Sequence, residues 1–590
     1  MNSAHKAWTR ALERTAAIGR HPSVTLPHVI DALADRFGDA PALVSREAGL
    51  SYRELAAAVH RYARWGLAQG WTAGDVVCLL MPNCPQYMAI WLGLNRIGVV
   101  VALLNTHLAG DLLARSINSV APRAIIVGAG LIDALRSAEP SVPTEVRRWA
   151  LGEGPHRFAS LELETADVPT HPLTESECRP PSLEDRALYI YTSGTTGLPK
   201  PAAVSHFRVM QWSHWFAGLM DIRPTDRMFD CLPMYHSIGG VVATGAPLVA
   251  GATVVLRERF SAGEFWSDVT AQRCTLFQYI GELCRYLLHA PAQPDEVSHA
   301  LRLCCGNGLR PEVWKPFKQR FRIPQILEYY ASTEGSFSLY NCEGQPGAIG
   351  RIPPFLSHRL PVALVKFDVR TEAPLRDETG RCVPCEPNET GEALGRIRDA
   401  AGRPSGRFEG YVDARESQKK VLEDVFAAGD AWFRTGDLMR QDAQGFYYFV
   451  DRVGDTFRWK GENVSTSEVA AVIASCAGVS EVAVYGVRIA GADGRAGMAA
   501  LATDSAFDLP ILHSHLAAHL PEYARPLFVR IVPAIELTGT LRPRKQDFID
   551  QGFEPAAMAD AVYFDDRDKR EFVRLDAALF ERIRAGQERI

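Results

Sequence analysis

Ala187-Leu188-Tyr189-Ile190-Tyr191-Thr192-Ser193-Gly194-Thr195-Thr196-Gly197-Leu198-Pro199-Lys200 runs from an apolar, β-rich segment straight into a loop of glycines and hydroxyls that a lysine closes. Gly194 and Gly197 let a backbone approach a ligand closely. Backbone N–H groups and the hydroxyls of Thr192, Ser193, Thr195 and Thr196 can hydrogen-bond phosphate oxygens, while the Lys200 ammonium balances charge. On composition alone, a flexible Ser/Thr/Gly turn is the alternative. The loop is not a Walker A motif, which sets its second glycine immediately before the lysine; here Leu198 and Pro199 intervene.

Upstream of this loop, short apolar runs alternate with helical patterns. Asp75–Met81, Val99–Leu104 and Ala124–Val127 read as strands, and Gln86–Ile97 and Leu108–Val120 as helices. Such alternation implies βαβ units and a mostly parallel sheet. A polar, proline-containing stretch from Thr165 to Asp185 precedes the strand Ala187–Thr192. Further βα units run to about residue 350, and a strand-rich portion follows to about 450. After Arg452 the style changes: Thr466–Ser475 and Pro510–His519 read as helices, and Val479–Val487, Gly497–Thr503 and Leu527–Val532 as strands. The expected fold is α/β, with a large multi-subdomain N-terminal domain over 1–453 and a small α+β C-terminal domain over 454–590. In Asp451-Arg452-Val453-Gly454-Asp455 a glycine stands among charged residues, where backbone rotation is sterically cheap. On residue type a plain surface turn is the default reading there; a hinge near Gly454 is what the family resemblance below implies.

A chain of 590 residues exceeds what one hydrophobic core can organise. Its 47% hydrophobic and 23% charged content is that of a globular protein, and a net charge of −5 gives a nucleic-acid role no support. Residues 1–20 lack a signal-peptide core. The uncharged stretch Ser237–Leu256 is interrupted by Gly239, Gly240, Gly245, Pro247 and Gly251, so a buried helix, a turn and a strand are expected rather than a spanning helix. The twelve cysteines read as reduced thiols, Cys382 and Cys385 as an incidental pair, and His513 and His515 as surface residues.

Further motifs follow the glycine-rich loop. Gly306-Asn307-Gly308 follows a strand-like run, Tyr329-Tyr330-Ala331-Ser332-Thr333-Glu334-Gly335 follows, and then come Arg434-Thr435-Gly436-Asp437, Asp451-Arg452 and Lys460-Gly461-Glu462-Asn463. Together with Thr192–Lys200 they resemble, in order, the signatures of the acyl-adenylate-forming superfamily. Phe457–Thr466, Leu537-Thr538-Gly539-Thr540 and Tyr563–Ile590 resemble its very-long-chain acyl-CoA synthetase and fatty acid transport protein family. The resemblance covers about residues 25 to 590.

That resemblance implies ATP-dependent, magnesium-dependent activation of a carboxylic acid to acyl-AMP, followed by transfer to coenzyme A. It assigns Thr192, Ser193, Gly194, Thr195, Thr196, Gly197 and Lys200 to the phosphates, and Thr192 and Glu334 to magnesium, whose hard oxygen preference a carboxylate suits. Gly306, Asn307, Gly308, Tyr330, Ser332 and Thr333 fall to the adenine side of the site, and Asp437 and Arg452 to the ribose. Tyr235-His236 resembles the aromatic/His gate between the ATP and acyl sites. Lys460, Gly461 and Glu462 would face the site after the C-terminal domain rotates and help form the pantetheine tunnel.

The superfamily's Gly-Lys pair is here Gly539-Thr540. The cations left for adenylation are Arg542 and Lys545, a permanent planar fork and an ammonium. Long- or very-long-chain fatty acids are the implied substrates, with sterol-type acids as a variant. Gly239, Gly240 and Gly245 suggest either space for a bulky acid or close helix packing. Loading of a carrier protein, and fatty-acid uptake or binding without strong catalysis, are the competing readings. The implied partners are small molecules, with no nucleic acid, in the cytoplasm and with peripheral membrane contact for an apolar substrate.

Overall fold

A computed structural model describes residues 3–590 apart from 155–156, 175, 194–198, 370, 398–406, 461, 491, 493, 539–542 and the side chain of Ser193. The described residues form two compact units, Met1–Pro353 with Ile397–Val421, and Pro354–Arg396 with Leu422–Ile590.

The first unit holds two mainly parallel sheets. One has the strand order 159–160, 147–151, 124–128, 76–80, 100–103, 186–193, 199–205. Its central strands Val76–Leu80, Val100–Leu103 and Ala124–Gly128 are buried along their whole length. That is why they read as continuous apolar runs rather than alternating ones: helices cover both faces of a parallel sheet. The other sheet has the order 338–341, 326–331, 303–307, 276–280, 227–230, 253–256, 41–44, 49–51. Local signals fix element starts. Ser51 and Glu54 form a reciprocal capping box at the head of helix Tyr52–Ala68, with Oγ and carboxylate each accepting a backbone N–H. Ser237–Leu256 is a short π-helix, Ile238–Ala243, a helical turn, Gly245–Leu248, and a strand, Thr253–Leu256. Among the described residues no helix is long and apolar enough to cross a membrane.

The second unit contains an antiparallel sheet built around Val362–Asp368, Thr390–Arg396, Ala431–Gln441 and Phe446–Arg452. It also contains a five-stranded sheet in the order Val479–Val487, Ala496–Thr503, Phe528–Val532, Ala561–Asp566, Glu571–Arg574. Helices Thr466–Ala474 and Leu509–His519 pack around its core through Val469, Ile473, Leu512 and Leu516. The division differs from the expected 1–453 and 454–590: by compactness the strands before residue 453 group with the C-terminal part, because four of them form one ladder that leads directly into it. The histidines expected on the surface are half-buried, His513 meeting Asp565 at 3.1 Å and His515 bonding Ser475 at 2.9 Å.

Candidate active site

In the first unit the glycine-rich segment is a β-hairpin. Strand Arg186–Ser193 pairs antiparallel with Pro199–Ser205, and Thr192 stands directly opposite Lys200. The two ends of the loop are therefore held in register by the ladder. Gly194, Thr195, Thr196 and Gly197 lie outside the described residues, as do Gly461 and Arg542.

A segment from Arg407 to Val421 crosses this hairpin. Ala203 N donates to Gly410 O at 3.0 Å and Val412 N to Pro201 O at 3.0 Å, so the segment adds to the hairpin's edge. Glu409 clamps the corner, accepting from Ser205 N and Ser205 Oγ, both at 2.6 Å. The phenol of buried Tyr411 donates to Glu334 Oε1 at 2.8 Å, and Tyr411 bridges to Ala202 on the hairpin's second strand. Burial and the neighbouring Glu334 carboxylate push that phenol well above the usual tyrosine range, so it stays a donor. Lys200 Nζ meets Glu416 Oε2 at 2.5 Å, and Lys419 takes the other oxygen at 2.6 Å. Through one crossing strap, the ends of the glycine-rich loop are thus joined to the acid of Ser332-Thr333-Glu334.

Arg208, buried on helix His206–Leu219, donates to Thr333 O at 2.9 Å and to Arg407 O at 2.7 Å. Ser237 Oγ and Thr333 Oγ1 are 3.2 Å apart, which links the segment after Tyr235-His236 to the same turn. The Tyr235 and His236 rings lie 4.5 Å apart, and Tyr235 is buried while His236 is half-buried. On the preceding strand Asp230, fully buried, accepts from Leu232 N at 3.0 Å, and burial pushes its carboxyl up to about 8.

Of the two readings of Gly239, Gly240 and Gly245, the structure selects close packing. A Cβ at Gly239 would stand 2.4 Å from Pro233 O, one at Gly240 2.3 Å from Met234 O, and one at Gly245 2.4 Å from Ser213 Oγ. These positions are filled by neighbouring backbone and side chain, so they supply no room for an acyl chain.

Gly306, Asn307 and Gly308 end the buried strand Leu303–Asn307. Gly306 is obligatory there: a Cβ would meet Tyr279 O at 2.2 Å. Beneath the turn lies Glu328, an acid inside the apolar run Ile326–Ala331. It accepts from Leu309 N at 3.0 Å and from Tyr279 Oη at 2.5 Å. Burial pushes this carboxyl up to about 8. Tyr330, two residues on, is half-buried with its ring 5.8 Å from Phe337.

In the second unit Asp437 and Arg452 are direct ladder partners, with Arg452 Nε 3.4 Å from Asp437 Oδ1. Their neighbours make the turn rigid. Thr435 Oγ1 donates to Ala393 O at 2.8 Å and accepts from Asp437 N at 3.0 Å. Arg434 is spent on structure, forking onto the wholly buried Glu392 at 2.7–3.2 Å. Asp451 is also buried and collects Thr466 N at 2.6 Å, Arg452 N at 2.9 Å and the hydroxyls of Thr456, Thr466 and Ser467. Gly454 has φ +89° with open space where a Cβ would be. Lys545 Nζ reaches Asp455 Oδ2 at 3.1 Å and Thr466 Oγ1 at 2.9 Å. Phe457–Trp459 and Glu462–Val464 form a tight hairpin, Trp459 opposite Glu462, that carries Lys460 at its turn. Lys460 has φ +50° and donates to Ile590 O at 2.5 Å.

Residues 30–397 match the AMP-binding enzyme family and residues 468–541 its C-terminal domain. The chain belongs to that family. Within it, the chain is 39% identical to the long-chain fatty acid transport protein 1 of Mus musculus, over 96% of this chain and 88% of that one. It is also 39% identical to the human long-chain fatty acid transport protein 3, over 88% and 76%. Membership in the fatty acid transport protein and very-long-chain acyl-CoA synthetase branch brings the general class of the enzyme, an AMP-forming acid–thiol ligase that uses ATP. The fold is shared with an anthranilate CoA ligase solved with anthranoyl-AMP (TM-score 0.77, 20% identity, 91% of this chain and 98% of that one). It is shared as well with the fatty acyl CoA synthetase of Mycobacterium tuberculosis (TM-score 0.62, 23% identity, 89% and 98%).

Sequence reasoning missed Tyr411, Glu416, Glu328 and Asp230. For Glu328 a signal existed, a lone acid within an apolar β-run. Tyr411 and Glu416 carry none, because their partners are set by a crossing of distant segments.

Proposed function

We propose that the protein activates a long- or very-long-chain fatty acid, or a similarly bulky carboxylic acid, as acyl-AMP and then transfers the acyl group to coenzyme A, releasing pyrophosphate and AMP. The observation that carries this reading is Tyr411, whose segment adds to the edge of the strand pair flanking the glycine-rich loop while its phenol donates to the Glu334 carboxylate.

Two anions must meet in the first step, so charge neutralisation is the chemical task. Thr192, Ser193, Gly194, Thr195, Thr196, Gly197 and Lys200 bind the β- and γ-phosphates until pyrophosphate leaves. Glu334 and Thr192, both hard oxygen donors, would hold magnesium, which when bound would neutralise phosphate charge. Tyr411 donates to Glu334 Oε1 and so orients the carboxylate that would hold the ion. Gly306, Asn307, Gly308 and Tyr330 bind the adenine, with Ser332 and Thr333 shaping the turn beside it. Asp437 accepts from the ribose hydroxyls while Arg452 holds its orientation and donates to the same sugar. Lys545 and Arg542 supply the cations for adenylation, and His236 with Tyr235 guards the way to the acyl site. For the thiol step, residues 454–590 rotate about Gly454, whose left-handed φ suits a pivot, and Lys460, Gly461 and Glu462 line the pantetheine path.

The choice of a long-chain acid rests on the transport-protein relatives, and peripheral membrane contact in the cytoplasm is the matching location for such a substrate. The test is a panel of acids, from short to very long chain and including sterol-type acids, with ATP and magnesium. Pyrophosphate release and coenzyme A consumption are both followed. No pyrophosphate from any acid defeats the enzymatic reading in favour of binding or uptake. Pyrophosphate without coenzyme A consumption, but with acylation of a phosphopantetheinylated carrier, replaces the thiol acceptor.

A further inference from the structure

We infer that Glu416 is a further residue of the nucleotide site, where its carboxylate and the phosphates of ATP compete for the Lys200 ammonium. The inference rests on the proposed adenylation chemistry and adds a residue that no motif marks.

Three features make the pair exchangeable rather than fixed. First, it is half-buried, with the two side chains 17% and 20% exposed at an Nζ–Oε2 distance of 2.5 Å. An ion pair there is stronger than one on the open surface, yet not sealed from water. Second, Glu416 has a second cation, for Lys419 Nζ donates to Oε1 at 2.6 Å and is itself largely exposed. When Lys200 turns to a phosphate, Glu416 keeps Lys419, so the exchange strands no carboxylate without a partner. Both lysines hold the Glu416 carboxyl below the usual range, Lys200 foremost. Third, the carboxylate cannot drift away. Its short helix Ala414–Gln418 is tied back by Tyr411 N donating to Ser417 Oγ at 2.8 Å, and Tyr411 is itself anchored on Glu334.

A triphosphate carries several negative charges against the one of Glu416, so ATP wins Lys200 but loses part of the attraction to the competitor. A carboxylate that merely oriented Lys200 toward phosphate would act in the opposite sense, and its removal would weaken ATP binding. The sign of one substitution therefore decides.

Binding of ATP with magnesium, without acid or coenzyme A, is measured by titration calorimetry. Glu416→Gln is expected to tighten it by about two- to fivefold, the range of a modest ion pair. Lys419→Ala, which leaves Glu416 more dependent on Lys200, is expected to weaken it. In a Lys200→Met background, Glu416→Gln is expected to change nothing. Unchanged or weaker binding by Glu416→Gln, or the same tightening in the Lys200→Met background, overturns the inference. A wild-type protein that binds no ATP overturns the proposed function itself, whereas wild-type binding with no Glu416→Gln response overturns the competition alone.

Discussion

Lys200 in the first unit and Lys545 in the second are both ammonium groups held by a carboxylate, but their partners differ in kind. Lys200 meets Glu416, which has Lys419 in reserve. Lys545 meets Asp455, the residue after Gly454, and also Thr466, which hydrogen-bonds the buried Asp451. One lysine is held by a side chain that can release it cheaply. The other is tied to the residue after Gly454 and to the first turn of the following helix. The contrast teaches that two lysines with carboxylate partners can be restrained differently, one by an acid that also holds a second lysine, the other by a turn and the start of a helix.

The largest effects should come from the first unit. Lys200→Ala and Glu334→Gln are each expected to lower acid-dependent ATP–pyrophosphate exchange about a hundredfold or more, the scale of losing one charge-stabilising group. Exchange at near wild-type rates would end the equivalence between Lys200 and a phosphate ligand. Next comes the pivot. Gly454→Pro demands φ near −65° where the chain has +89°. Acyl-CoA formation should fall by at least about tenfold more than pyrophosphate exchange, because only the thiol step needs the rotation. Equal loss of both steps would contradict a rotating C-terminal part.

Lys545→Met and Arg542→Met sharpen the comparison further. A loss of about tenfold in pyrophosphate exchange for Lys545→Met would give it the adenylation role. If only Arg542→Met has that effect, the ammonium at 545 is a structural tie to Asp455, and acyl-CoA formation rather than exchange should register its removal.

The smallest effect is on stability. Burial raises the Glu328 and Asp230 carboxyls to about 8, above the unfolded value near 4. A raised folded value means that their contribution is complete below pH of about 4 and is lost as pH rises through about 8. The unfolding midpoint should therefore fall from pH 6 to pH 9. Glu328→Gln, which cannot ionise, should shrink that fall by about 2 °C in a scan of thermal unfolding. An undiminished fall would mean that this acid is not the group titrating.

The sequence was legible wherever local chemistry repeats. Val76–Leu80, Val100–Leu103 and Ala124–Gly128 announced a parallel sheet because strands buried on both faces must be apolar throughout. The run Ala187–Thr192 announced a strand opening into a glycine-rich loop; that its far side returns as a second strand, with Thr192 against Lys200, is seen only in the structure. Asp437 and Arg452 were expected at one sugar and prove to be cross-strand neighbours. Other features did not show. Gly239 and Gly240 looked the same whether they made space or filled it, since a glycine records only the lack of a side chain; the carbonyls of Pro233 and Met234 decide the matter. The limit of the large domain was likewise read at a change of pattern, whereas compactness follows which strands share a ladder.

By itself, then, the sequence determined an α/β chain with a strand running into a glycine-rich loop and a set of ordered motifs, all of which are encoded within a few consecutive residues. Only the tertiary structure decided that Tyr411 donates to Glu334, that Glu416 holds Lys200, and that Arg434 forks onto Glu392. The physical reason is range. Hydrogen bonding and ion pairing act over a few ångströms of space, and which segments come that close is set by the packing of the whole unit rather than by any neighbour in the chain.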